Sequence, residues 1–127
     1  MNAQDLGVVL FAHGSRDPLW RAPIDAVAQA MAAQSPECVV RCAFLELTTP
    51  DLPSTVNELV ALGVQRVRIV PMFLGVGRHA REDLPALVVH LREQHPSLAI
   101  ELMPSVGEHP AMTQLMAQIA LGQTPSP

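Results

Sequence analysis

The chain has no lysine; all eight of its basic residues are arginine. That excludes Schiff-base chemistry at a lysine and a Walker-type phosphate lysine. What remains is arginine, whose planar fork suits carboxylates. Aromatic residues make up only 3%, too few for the stacking surfaces that hold single-stranded nucleic acid. A formal net charge of −4 disfavours nucleic-acid partners in general. No apolar run reaches membrane-spanning length. The opening residues Met1-Asn2-Ala3-Gln4-Asp5 carry neither the basic region nor the apolar stretch of a secretory signal. The expected setting is cytoplasmic, with no membrane partner. The two cysteines are Cys38 and Cys42. On one strand they would stand about 13 Å apart, too far for a disulfide or a shared metal within that strand. Both are expected as small apolar core residues.

With 127 residues and 49% hydrophobic content, the chain is expected to form one domain over residues 1–122, followed by a flexible tail over 123–127. Leu6 to Ala12 is a short apolar run that reads as a strand buried on both faces. After the Asp17-Pro18 turn, Trp20, Ile24, Val27 and Met31 recur at helical spacing. Cys38 to Leu45 reads as a second strand. Thr48 to Asp51 reads as a turn and helix start, with Val56, Leu59, Val60 and a terminating Gly63 beyond it. Arg66 to Phe73 is a third strand with Pro71 near its exit, where a lost donor costs less. A glycine-bearing loop then runs from Leu74 to Arg78, with His79 expected in it. Asp83 is expected to cap a third helix with Pro85 in its first turn. Leu98 to Met103 is a fourth strand. Pro110 opens a last helix whose stripe is Met112, Leu115, Met116 and Ile119.

This β-α-β-α-β-α-β-α rhythm predicts an α/β three-layer sandwich: a four-stranded parallel sheet with helices on both faces and right-handed crossovers. In the order 2-1-3-4 the topological switch point falls between the first and third strands. His13 and His79, each past the end of one of those strands, would flank the crevice where such sheets bind ligands. Two imidazoles so placed could hold a metal or move protons. Glu46 stands at the same edge, as does the segment around His109. Structural zinc sites want four protein ligands, so two histidines and a carboxylate read as an open site sharing its metal with a substrate. Other activities of this scaffold lack their signatures. No Gly-x-Gly-x-x-Gly follows the first strand, and Gly14-Ser15-Arg16 is no nucleophile elbow. Ala12, not arginine, precedes His13-Gly14, unlike the histidine phosphatases.

Three segments together carry a resemblance: His13-Gly14-Ser15-Arg16, Phe44-Leu45-Glu46, and Pro71-Met72-Phe73-Leu74-x-x-Gly77-x-His79-x-x-x-Asp83. They resemble the CbiX family of class II tetrapyrrole chelatases in its short, single-domain form. The resemblance runs from about residue 6 to 121. It implies insertion of a divalent metal, usually Co²⁺, into sirohydrochlorin during cobalamin synthesis; relatives insert Fe²⁺ or Ni²⁺. The metal enters as substrate, and no organic cofactor is implied.

On that resemblance His13 and His79 are the metal-facing pair and are expected to be catalytic, with Glu46 helping to carry protons away. Ser15, Arg16, Arg78 and Arg81 are expected to bind the substrate, the arginines pairing with its carboxylates. Activity is expected to fall once acid protonates the imidazoles. A single lobe leaves a macrocycle half exposed, so a homodimer closing a shared cleft is expected. A non-enzymatic tetrapyrrole or metal carrier using the same pocket is the competing expectation.

Overall fold

The computed structural model describes residues 5–123. The tail expected over 123–127 therefore lies, from residue 124 on, outside the described residues. The elements are β1 (Leu6–Ala12), α1 (Ala22–Gln34), β2 (Val39–Phe44), α2 (Leu52–Ala61), β3 (Arg66–Pro71), α3 (Arg78–Gln94), β4 (Ala99–Leu102) and α4 (Pro110–Ala120), with a 3-10 turn at Val106–Glu108 before α4. The four strands form one parallel sheet in the order β2-β1-β3-β4. The switch point thus lies between β1 and β3, where Phe11 stands opposite Pro71.

β1 is buried on both faces from Gly7 to Ala12, as a central parallel strand must be. One face carries the main core. Val9, Phe11, Ala43, Val67, Ile69 and Ile100 meet Leu52, Val56 and Leu59 of α2 and Ala80, Leu84, Val88 and Leu91 of α3. On the other face α1 runs along β1 and β2. Just before it, Trp20 packs on Phe44 at 6.2 Å between ring centroids. Arg21 lies 4.8 Å over the same ring while its guanidinium grips Asp25 twice, at 2.9 and 3.1 Å. Pro71 closes β3, and its missing N–H costs little. Its nitrogen shares the side of Ile69, the side facing β4, and β4 has already ended at Leu102.

Four expectations are corrected. α3 starts at Arg78, not at Asp83, so Asp83 and Pro85 lie inside it and His79 belongs to its first turn. An interior proline costs a helix about 3 kcal/mol. The cost is offset because Ala80 and Leu84 continue the stripe of Val88 and Leu91 into the core, and a buried leucine alone contributes about 1.5–3 kcal/mol. Val27 of α1 and Ile119 of α4 are exposed rather than packed, and neither helix has a fully buried residue. α4 packs against the turn at Val106–Glu108 that precedes it. Cys38 and Cys42 are free and half-buried, at the margin of the core rather than in it. Burial raises the pKa of both thiols, and for Cys42 the Asp25 carboxylate adds to the effect. Among the described residues no helix is long and apolar enough to cross a membrane.

Candidate functional site

The exits of β1 and β2 are fastened to each other by their backbones. Leu45 N–H donates to the Ala12 carbonyl at 2.8 Å, and Glu46 N–H to the His13 carbonyl at 3.0 Å. Thr48 completes the clamp: its Oγ1 accepts from Ser15 N–H at 3.0 Å and donates to the Ser15 carbonyl at 2.9 Å. Gly14 makes this approach possible. Its φ is +98°, and a Cβ there would lie 1.7 Å from the Glu46 carbonyl oxygen. The His-Gly of the motif is therefore a geometric necessity where one backbone passes over another.

His13 emerges from this clamp exposed to solvent. Its ring rests on Phe73, with centroids 4.3 Å apart and planes tilted by 34°. Phe73 is buried and touches Phe11 edge-on at 6.1 Å, so one imidazole face is backed by the main core. Sequence reasoning cited Phe73 within a motif but gave it no role. The available signal was that an apolar side chain just past a strand end lies beside whatever leaves the neighbouring strand.

His79 is the second residue of α3, after Gly77 as N-cap, and is exposed. The backbone N–H groups of a helix's first turn point outward unsatisfied and carry about half a positive charge. With Arg78 and Arg81 this end of α3 favours an anion and disfavours a firmly held cation. Arg78 reaches Glu82 at 3.3 Å on the exposed helix surface, a weak pair. Arg16 and Arg81 are exposed and form no ion pair among the described residues. Ser15 is engaged locally, its Oγ accepting from Asp17 N–H at 3.0 Å.

The structure brings His13, Ser15, Arg16, Glu46, His79, Arg78 and Arg81 to the carboxyl-terminal edge of the sheet. Among the described residues no three His, Cys, Asp or Glu side chains form a metal-holding group, so His13, His79 and Glu46 do not make one. The Glu46 side chain is exposed and takes no hydrogen bond among them. His109 is occupied as the N-cap of α4, where its Nδ1 accepts from Ala111 N–H at 3.0 Å. Beside it the turn at Val106–Glu108 is pinned to the site. Gly107 N–H donates to the Phe73 carbonyl at 2.9 Å, and a Cβ on Gly107 would strike the Leu74 carbonyl oxygen at 2.0 Å. A hollow lined by Val60, Val64, His95 and Leu98 lies at the opposite edge, a smaller one lined by Val70, Met103, Val106 and His109 opens beside the exits of β3 and β4, and His13 and His79, which line neither, stand on an exposed rim. Such a rim can lend imidazole nitrogens to an ion and arginines to an anion.

A family model described as CbiX matches residues 7–121. A sirohydrochlorin cobaltochelatase of Methanothermobacter thermautotrophicus is 34% identical over 83 residues, 65% of this chain and 57% of that protein. One from Methanococcoides burtonii is 29% identical over 86 residues, 68% of this chain and 66% of that protein. The chain thus spans less than two thirds of the length of the curated relatives it matches. Among solved structures, a CbiX protein from Marinobacter aquaeolei, ascribed to cobalamin (vitamin B12) biosynthesis, has TM-score 0.80 and 29% identity. It covers 92% of this chain and 95% of that one. The sirohydrochlorin chelatase SirB from Bacillus subtilis subspecies spizizenii, in complex with cobalt, shares the fold at TM-score 0.71 and 24% identity. It covers 91% of this chain and 51% of that one.

Proposed function

The chain belongs to the CbiX family, and on that premise we propose that it is a sirohydrochlorin chelatase that inserts a divalent metal, Co²⁺ first, in cobalamin biosynthesis. The observation that carries the reading is the placement of the two motif histidines. Both are exposed at the carboxyl-terminal edge of the sheet, His13 just past β1 on a segment held by backbone hydrogen bonds and His79 in the first turn of the helix that follows β3. Sirohydrochlorin cobaltochelatases are among the relatives of this chain.

The chemistry asks little of the protein beyond that placement. The ion must shed water, two pyrrole N–H bonds must break, and four nitrogen–metal bonds must form, releasing two protons. Neutral imidazoles of His13 and His79 can each lend a lone pair to the incoming ion and, once it has left for the macrocycle, accept a proton. A two-histidine set, with His79 at the positive end of α3, holds an ion weakly, which suits delivery better than storage. Glu46, on the solvent side, takes protons onward. Arg16, Arg78, Arg81 and the Ser15 hydroxyl face the carboxylates of the substrate.

Two further parts of the reading concern assembly and place. An open rim leaves one side of a macrocycle in water, and one copy of this fold corresponds to half of a SirB chain. A homodimer closing two rims over a shared cleft follows. The free thiols suit a reducing, cytoplasmic compartment.

The test is the visible spectrum of sirohydrochlorin mixed with Co²⁺, Fe²⁺ or Ni²⁺ and the purified chain. Accelerated metallation is expected, fastest with Co²⁺; a faster rate with Fe²⁺ or Ni²⁺ reassigns the metal. Tight macrocycle binding with no acceleration by any of the three would replace the enzyme with a carrier.

A further inference from the structure

Four exposed leucines stand on the rim that carries the histidines. Leu74 is 70% exposed on the loop after β3, Leu47 56% and Leu45 44% on the loop after β2, and Leu19 79% before α1. In the order β2-β1-β3, the loops holding Leu45, Leu47 and Leu74 stand on either side of the exit of β1, which delivers His13. Neighbouring strands are about 4.8 Å apart, so these side chains and the imidazole fall within the breadth of one large planar ligand.

Leu47 is the most telling of the four. Its φ is +63°, and Thr48 N–H donates to the Glu46 carbonyl at 2.8 Å across it. Together these define a γ-turn of the rare, positive-φ kind, with a branched side chain at its apex. Such a backbone is disfavoured for leucine. The side chain recovers nothing by being buried, because it is exposed. The turn is nonetheless held firmly through Glu46 N–H and the Thr48 hydroxyl. Leu74 is likewise on a pinned segment, with Gly107 against its carbonyl.

Resting on the chelatase reading above, we propose that Leu45, Leu47 and Leu74, with Leu19 at the outer end, form a rigid apolar ledge for one face of the tetrapyrrole. The ledge sets the macrocycle against His13 while its carboxylates reach the exposed Arg16, Arg78 and Arg81. Charge complementarity argues for this occupant: the leucines share their rim with three exposed arginines, which suit a polycarboxylate. The leucines are positioning residues; they touch the ring system and take no part in proton or metal transfer.

The experiment titrates metal-free sirohydrochlorin against the fluorescence of Trp20, the only tryptophan. It compares wild type with Leu47→Asn, with Leu47→Asn/Leu74→Asn, and with Leu62→Asn, an exposed leucine at the end of α2 on the opposite edge. Asparagine accepts positive φ more readily than leucine, so Leu47→Asn should melt no lower than wild type while binding the macrocycle more weakly. The double variant should lose about tenfold in affinity. In turnover it should raise KM by a similar factor with kcat within about twofold, and Leu62→Asn should match wild type. Unchanged affinity in the double variant overturns the ledge. So does weaker binding that tracks a change in sedimentation from dimer to monomer, because the leucines then serve the partner chain. Because the titration contains no metal, wild type that binds but never metallates removes the catalytic reading and leaves the ledge standing. Wild type that does not bind removes both.

Discussion

The imidazole of His13 stacks on Phe73 with 4.3 Å between centroids, and Phe73 is almost wholly buried. A solvent-exposed imidazole is thus seated on a member of the main core. Its freedom is limited by packing, because nothing hydrogen-bonds its ring among the described residues. Phe73→Leu should therefore have two separable effects. Stability should fall by about 1–2 kcal/mol in a denaturant melt, from the lost ring contacts. Metallation should slow by about tenfold through loose placement of His13. A folded Phe73→Leu protein with the wild-type rate would show that the ring does not orient the imidazole.

His13→Ala and His79→Ala should separate function from fold. Both side chains are exposed, so thermal melts should move by less than about 0.5 kcal/mol. Metallation of sirohydrochlorin should fall at least about a hundredfold in each. Full activity in either purified variant would remove that histidine from the mechanism.

Gly14 and Gly75 offer a matched pair. A Cβ at Gly14 meets the Glu46 carbonyl at 1.7 Å under a positive φ, whereas one at Gly75 meets nothing within 4 Å. Gly14→Ala should cost more than about 2 kcal/mol and abolish activity by opening the clamp between β1 and β2. Gly75→Ala should be neutral or stabilise by up to about 1 kcal/mol. Equal melting temperatures for the two variants would mean that the clamp yields without cost.

Asp51 caps α2, its Oδ1 accepting from Ser54 N–H at 2.9 Å. Hydrogen bonding from Ser54 holds its carboxyl below the usual carboxylate range. A pKa lowered by folding contributes stability that is present above the unfolded value and disappears as pH falls through the folded one. Asp51→Ala should cost about 1 kcal/mol at neutral pH. The difference from wild type should shrink in acid below the ordinary carboxylate range, as read by paired melts. A difference constant down to that range would place the effect outside the ionised cap.

Sedimentation should find the wild-type chain heavier than its 13.7 kDa at working concentration. A fully active species of that mass would leave the open rim sufficient without a partner.

Much of this was legible in the linear chain. A seven-residue apolar run ending in His-Gly announced β1 to the residue, because a central parallel strand is buried on both faces and tolerates no polar interruption. The alternation of such runs with helical stripes announced the parallel sheet, and the spacing of its turns announced the edge where the histidines lie. The start of α3 was less legible. Local chemistry offered Asp83 and Pro85 as an N-terminus. A core contact of Ala80, invisible to capping rules, pulled the helix back one turn and His79 with it. Phe73, Thr48 and the backbone crossing at Gly14 were out of reach for the same reason, since each acts on a residue more than thirty positions away.

By itself the sequence determined the strands, the order of elements and the edge that carries the two motif histidines, since these follow from period, composition and motif, all local quantities. Only the tertiary structure decided what surrounds them. The phenyl ring beneath His13, the helix terminus that carries His79, the positive-φ leucine after β2 and the clamp of Glu46 and Thr48 on the exit of β1 depend on which distant backbones meet. That is settled by packing the whole core at once.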